Sequence, residues 1–144
     1  MADVQLSLRR KSGEFHLESK NSNGNTIDTD GSPDIGGQGK GLRPMELLLA
    51  SLASCSAIDI ILILKKQRQQ LDDVKIDVIA ERVTVGNHSE FASIHLFFHF
   101  YGNMKQEKVK RAIDLSLDDY CSVAQILKKT ARISYDFDIN PQDK

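Results

Sequence analysis

Thiols are scarce in this chain: among 144 residues there are two cysteines, Cys55 and Cys121. With so few, and in a chain of cytosolic character, a permanent structural bridge is disfavoured against a catalytic or redox-sensing pair. Excess charge of either sign is also missing. A net charge of −1 gives no global attraction to nucleic acid or to an anionic membrane, so neither is expected as a partner. The N-terminus lacks the basic, apolar and small-residue succession of a secretory signal; Met1-Ala-Asp-Val-Gln-Leu6 alternates as a strand does, and a cytoplasmic location is expected. There is no internal repeat and no low-complexity tract.

What is present is ordinary for a soluble globular protein, with 40% apolar and 27% charged residues, and the length fits a single domain spanning 1–144. One long apolar run, 47–64, approaches the ~20 residues a bilayer crossing requires. Asp59 and its interspersed serines argue against a span. The rest of the chain reads as one-faced strands that need a helix to cover them, so the run is expected to be a central helix buried nearly all round.

The strands show period two: Val4, Leu6 and Leu8, then Phe15 and Leu17, then Val74, Ile76, Val78 and Ala80. Ile94, Leu96, Phe98 and Phe100 continue the pattern, and Ile133, Tyr135, Phe137 and Ile139 close it. Clean alternation favours antiparallel sheet. The polar stretch from Asn21 to Asn25 reads as a hairpin turn, with Gly24 supplying the unusual backbone angles. Four glycines after Ile35, at 36, 37, 39 and 41, exclude regular structure and predict a crossing loop. Pro44 suits the first helical position, and the helix it opens is predicted to last to Gln69 or Gln70, with Asp72 and Asp73 turning the chain. A second helix is predicted over 106–117 from Val109, Ile113 and Leu117, and Asp118 or Asp119 can cap a third that runs to Lys129 with Cys121 in its first turn.

A thiol in the first turn of a helix faces N–H groups and the positive end of the dipole, which favours the thiolate; Cys121 is predicted to gain from this. Cys55 lies in mid-helix and needs an outside cation, while Asp59 at i+4 shares its face and opposes ionisation if charged. The histidines offer less. His95 and His99 share a strand face, but ~13 Å along a strand is too far to chelate one ion. Neither His88 nor Cys55 completes a ligand spacing, so no metal and no cofactor is expected. His16 is expected on a strand surface, and the Lys and Arg cluster at 105–111 as a solvated helix face.

The stretch Ile35-Gly-Gly-Gln-Gly-Lys-Gly-Leu-Arg-Pro44-Met-Glu-Leu-Leu-Leu-Ala-Ser-Leu-Ala-Ser-Cys55, with Cys121 opening a later helix before the final strand, resembles the OsmC-like family, which includes the organic hydroperoxide resistance proteins. The resemblance implies an α+β fold of order β-β-β-α-β-β-α-α-β, an antiparallel sheet wrapped on a long central helix, in an intertwined homodimer. It also implies reduction of organic hydroperoxides, with Cys55 peroxidatic and Cys121 resolving, and a disulfide reopened by a dithiol such as a lipoyl group.

The hydroperoxide resistance branch has a glutamate directly after the helix-opening proline, and here Met45 follows Pro44. Glu46 lies nine residues from Cys55, on roughly the opposite side of a helix at ~100° per residue, which makes it a first-turn dipole partner. Arg9, Arg10 and Arg43 are the candidate activating cations. The alternative from another class is a non-catalytic redox-sensing or small-ligand-binding dimer that keeps the fold and the thiol pair.

Overall fold

The computed structural model describes residues 3–142. Its contacts fall into two compact units, 1–49 and 50–144, with a long helix, α1 (Pro44–Lys66), running from the first into the second.

In the first unit, β1 (Leu6–Ser12), β2 (His16–Asn21) and β3 (Thr26–Thr29) form an antiparallel meander in that order. The β2–β3 turn is organised by the Asn21 carboxamide oxygen, which accepts the N–H groups of Asn23 and Asn25 at 3.1 and 2.9 Å. Gly24 takes φ 87° there, as the turn requires. His16 is buried, contrary to the expectation of a surface strand residue. Its ring is held between the Ser12 hydroxyl at 2.8 Å and the Asp28 carboxylate at 3.0 Å, so both nitrogens are satisfied inside the sheet.

The glycine-rich segment is an ordered loop built around one buried carboxylate. Asp30 accepts N–H bonds from Gly31, Gln38 and Lys40 at 2.8, 3.2 and 3.1 Å. Burial alone would push its pKa up, and these three backbone donors outweigh that and hold it below the usual value. Gly37 is required by close approach, since a Cβ there would lie 1.7 Å from the Gly31 carbonyl oxygen. The loop delivers the chain to Pro44, where Glu46 reaches back to accept the Arg43 N–H at 2.9 Å, which is the first-turn role predicted for it.

The apolar run is helical as expected, but α1 ends at Lys66 and not at 69 or 70. Arg68 turns into the left-handed region at φ 58°, and the Arg68 and Gln69 N–H groups bond back to Lys65 and Leu64. Within one chain the helix is not buried all round. Leu52, Ser56, Ile60 and Leu64, four apart, form the covered stripe, while Ile58, Ile61 and Leu62 are 60%, 42% and 54% exposed.

In the second unit, β4 (Gln70–Val85) and β5 (His88–Asn103) make a long antiparallel hairpin, turned by Gly86 at φ 62°. Asp72 and Asp73 therefore do not turn the chain: they lie within β4, where the pairing skips a residue between Leu71 and Asp73 and forms a bulge. The last strand, β6 (Arg132–Ile139), pairs with β5 in parallel, so this sheet is mixed. A helical crossover separates β5 from β6, and such a return brings the chain back in the same direction.

On one sheet face Ile94, Leu96, Phe98 and Phe100 are fully buried. Tyr135 and Phe137 meet Phe98 and Phe100 edge to face, with centroids 6.1 and 6.3 Å apart. On the other face His95 bonds Ser134 and Asp136, and His99 bonds Asp77 and Asp138. Between the strands come α2 (Gln106–Leu115), burying Val109, Ala112 and Ile113, then a π-helical turn over Ser116–Tyr120, then α3 (Ser122–Leu127). The element order β-β-β-α-β-β-α-α-β is the one expected. The second helix gives way to the π turn two residues early, and that turn sets the site.

Candidate functional site

Cys55 and Asp59 stand one turn apart on α1, so their side chains share a face. The π turn brings Cys121 to them. Its Cys121 N–H donates to the Ser116 carbonyl at 2.7 Å, a five-residue step that widens the turn, and the Gln125 amide pins the carbonyls of Leu117 and Asp118 at 3.2 Å each. Cys121 then leaves the helical region at φ −74°, ψ 107° and is itself the N-cap of α3, a place predicted for Asp118 or Asp119. Its sulfur accepts the Ala124 N–H at 3.3 Å, as a serine or aspartate oxygen commonly does.

Ser116 completes the arrangement. It is fully buried, and its hydroxyl donates to Asp59 Oδ2 at 3.1 Å, with the Ser56 carbonyl oxygen at 3.5 Å. A donor on one carboxylate oxygen fixes the orientation of Asp59 and leaves the second oxygen for another ligand. The sulfur atoms of Cys55 and Cys121 and a carboxylate oxygen of Asp59 all lie within 4.8 Å of one another. Both thiols are free; Cys55 is half-buried and Cys121 fully buried.

The electrostatics of Cys121 differ from the expectation for a helix first turn. Burial pushes its thiol up to about 11, against the lowering effect of the Ala124 N–H, and the hydrogen bond and charge of Cys55 and the charge of Asp59 add to the rise. A six-residue helix has little dipole to set against full burial. Cys121 is therefore a neutral thiol at neutral pH.

A cleft of about 620 Å³ opens beside Asp59, walled by Leu62, Ile63, Leu115 and Tyr120 and edged by Lys66 and Arg111. Arg111 is exposed, as expected for the 105–111 cluster, and also edges this cleft, a placement the sequence does not show. Ser116 was also missed, although a signal existed: it follows Val109, Ala112 and Ile113 at helical spacing, so it falls on the buried side, where a hydroxyl needs a partner. The candidate cations Arg9 and Arg10 are exposed on β1, and Arg43 is exposed just ahead of α1; all three belong to the first unit.

An α+β fold with two cysteines converging from a long helix and a short helix cap defines a two-thiol protein. The chain belongs to the OsmC-like family, whose profile, described as OsmC-like protein, matches residues 37–136. The Escherichia coli (strain K12) protein YhfA is 38% identical over 101 residues, covering 69% of this chain and 75% of its own. A solved structure from Aquifex aeolicus VF5 is 32% identical, covers 98% of this chain and 100% of that one, and superposes with a TM-score of 0.79. An organic hydroperoxide resistance protein from Legionella pneumophila shares the fold at a TM-score of 0.72 and 15% identity, covering 95% of this chain and 97% of its own.

Proposed function

We infer that this protein is a thiol-dependent peroxidase that reduces organic hydroperoxides, in a role of oxidative stress defence. The observation that carries the reading is the convergence of two free thiols within 4.8 Å, one half-exposed and one buried. The half-exposed Cys55 attacks as thiolate on the outer peroxide oxygen, giving a sulfenic acid and an alcohol. The Cys121 sulfur then displaces water to form the disulfide, and a dithiol, of lipoyl type, reopens it by exchange. Cys121 is suited to the resolving role: as a neutral thiol it does not compete for peroxide, and it lies beside the sulfur it must meet. The Legionella relative's description as an organic hydroperoxide resistance protein supports the same class of substrate.

The functional unit is a cytoplasmic homodimer of single-domain chains. The apolar stripe of Ile58, Ile61 and Leu62 on α1 supports this, because a second chain would remove it from water. Arg9, Arg10 and Arg43 are the candidates to activate Cys55 in that assembly. A second reading, a non-catalytic redox-sensing or ligand-binding dimer, is favoured by one observation: the group beside both sulfurs is a carboxylate, Asp59, and not a cation.

The test is consumption of cumene hydroperoxide by the purified protein with a dithiol reductant, beside Cys55→Ser and Cys121→Ser. Turnover that disappears in Cys55→Ser, with Cys121→Ser halted after one equivalent of peroxide, is the expected result. No turnover from a folded protein with reactive thiols would transfer the case to the second reading.

A further inference from the structure

The geometry points to a tetrahedral, thiophilic divalent metal site of the zinc class, built from Cys55, Cys121 and Asp59, with a fourth position open to solvent or a small ligand. Two sulfurs on one tetrahedral zinc lie about 3.8 Å apart when each Zn–S bond is ~2.3 Å, and a carboxylate oxygen on the same ion lies slightly closer to each sulfur. Three donor atoms already within 4.8 Å of one another need only sub-ångström to ångström adjustments to reach that triangle. No such site is legible as a sequence spacing, because the turn that delivers Cys121 lies 66 residues beyond Cys55, from the difference of their numbers.

Three further features fit a metal. Two of the three donors are backed by a second contact of the sort that orients ligands: Ser116 donates to Asp59 Oδ2 at 3.1 Å, and the Ala124 N–H to the Cys121 sulfur at 3.3 Å. Two thiolates favour zinc-class ions over magnesium or calcium, which prefer oxygen. Asp59 lines a cleft together with Arg111 and Lys66, which places positive charge on the side of the carboxylate, beside a ligand set of three anions. Ligation goes beyond the peroxidase reading and competes with it, since an ion bound by both sulfurs and a disulfide between them exclude each other.

Cobalt(II) titration of the reduced, metal-free full-length protein tests this. One ion per chain is expected, with a thiolate-to-cobalt charge-transfer band, tetrahedral d–d absorption and displacement by zinc. Cys121→Ser and Cys55→Ser should each weaken binding by two orders of magnitude or more. Asp59→Asn should retain a charge-transfer band and bind at least tenfold more weakly with altered d–d absorption, while His88→Ala changes nothing. Zinc should also protect both cysteines of the unmodified protein from alkylation, a readout that requires no variant to fold. No charge-transfer band, a band unchanged in Asp59→Asn, or alkylation unaffected by zinc would each overturn the site. Peroxide turnover measured on the same metal-free protein separates the two ideas: cobalt binding without turnover upholds the site and removes the peroxidase, and turnover without cobalt binding does the reverse.

Discussion

Labelling of Cys121 in a Cys55→Ser background isolates the electrostatics of the site in one sulfur. In the folded chain its thiol is held near 11, against an ordinary value of 9.0. At pH 8 a thiol of pKa 9 is about one-tenth thiolate and one of pKa 11 about one-thousandth, so with Cys55 in place ionisation alone would slow labelling by iodoacetamide about a hundredfold relative to the denatured chain, and in the Cys55→Ser background the slowing should be smaller but still present. Replacing Cys55 removes its hydrogen bond and charge, two of the smaller contributions, while burial, the largest, remains and so does the charge of Asp59. The rate should therefore still climb about tenfold per pH unit well past pH 9, where an ordinary thiol levels off. Adding Asp59→Asn should move the inflection to lower pH. The assay is intact-mass labelling across pH 7 to 11 with a chelator present; the pH at the inflection reports ionisation, and the limiting rate reports access. A rate that plateaus at or below pH 9, or one equal to that of the denatured chain, would refute the account of Cys121 as a buried, neutral thiol.

Other parts of the structure give further expectations. Ser116→Ala removes a buried donor to Asp59 and should cost about 1–3 kcal/mol in urea denaturation. Tyr135 donates to Asp114 Oδ1 at 2.6 Å, and burial first, then that carboxylate, push its phenol from 10.0 up to about 12. The unfolded chain releases this proton first, so the stability is fully present below pH 10 and is lost as pH rises from about 10 to about 12; Tyr135→Phe should flatten that part of the denaturation profile. Gly37→Ala places a Cβ against the Gly31 carbonyl and should displace the loop around Asp30, lowering the melting temperature and exposing the Gln38 and Lys40 N–H groups to hydrogen exchange.

Much was legible in the sequence because it is local. Alternation in 94–100 fixes which side chains of β5 are buried, and Ile94, Leu96, Phe98 and Phe100 are all fully so. Pro44 with Glu46 marks where α1 begins, and the polar Asn21–Asn25 segment with Gly24 marks a turn. Ends were less secure. Arg68 stops α1 through a left-handed residue that no proline or glycine announces, and the bulge at Asp72 is a pairing irregularity that requires both strands. The parallel pairing of β6 was likewise invisible, because period-two alternation records which face is buried and not which way a neighbour runs.

The same division holds at the site. The sequence by itself determined the two thiols, the long apolar helix that carries one of them and the glycine-rich entry to that helix, since composition and short-range pattern are properties of the chain. Only the tertiary structure decided what the thiols face. A π turn, a five-residue hydrogen-bond step that no residue type encodes, carries Cys121 to Cys55 and Asp59, buries it so that its thiol stays protonated, and gives Ser116 a carboxylate to hold. Distance, burial and partner identity arise from residues far apart in the chain, and those three quantities set the chemistry of a sulfur atom.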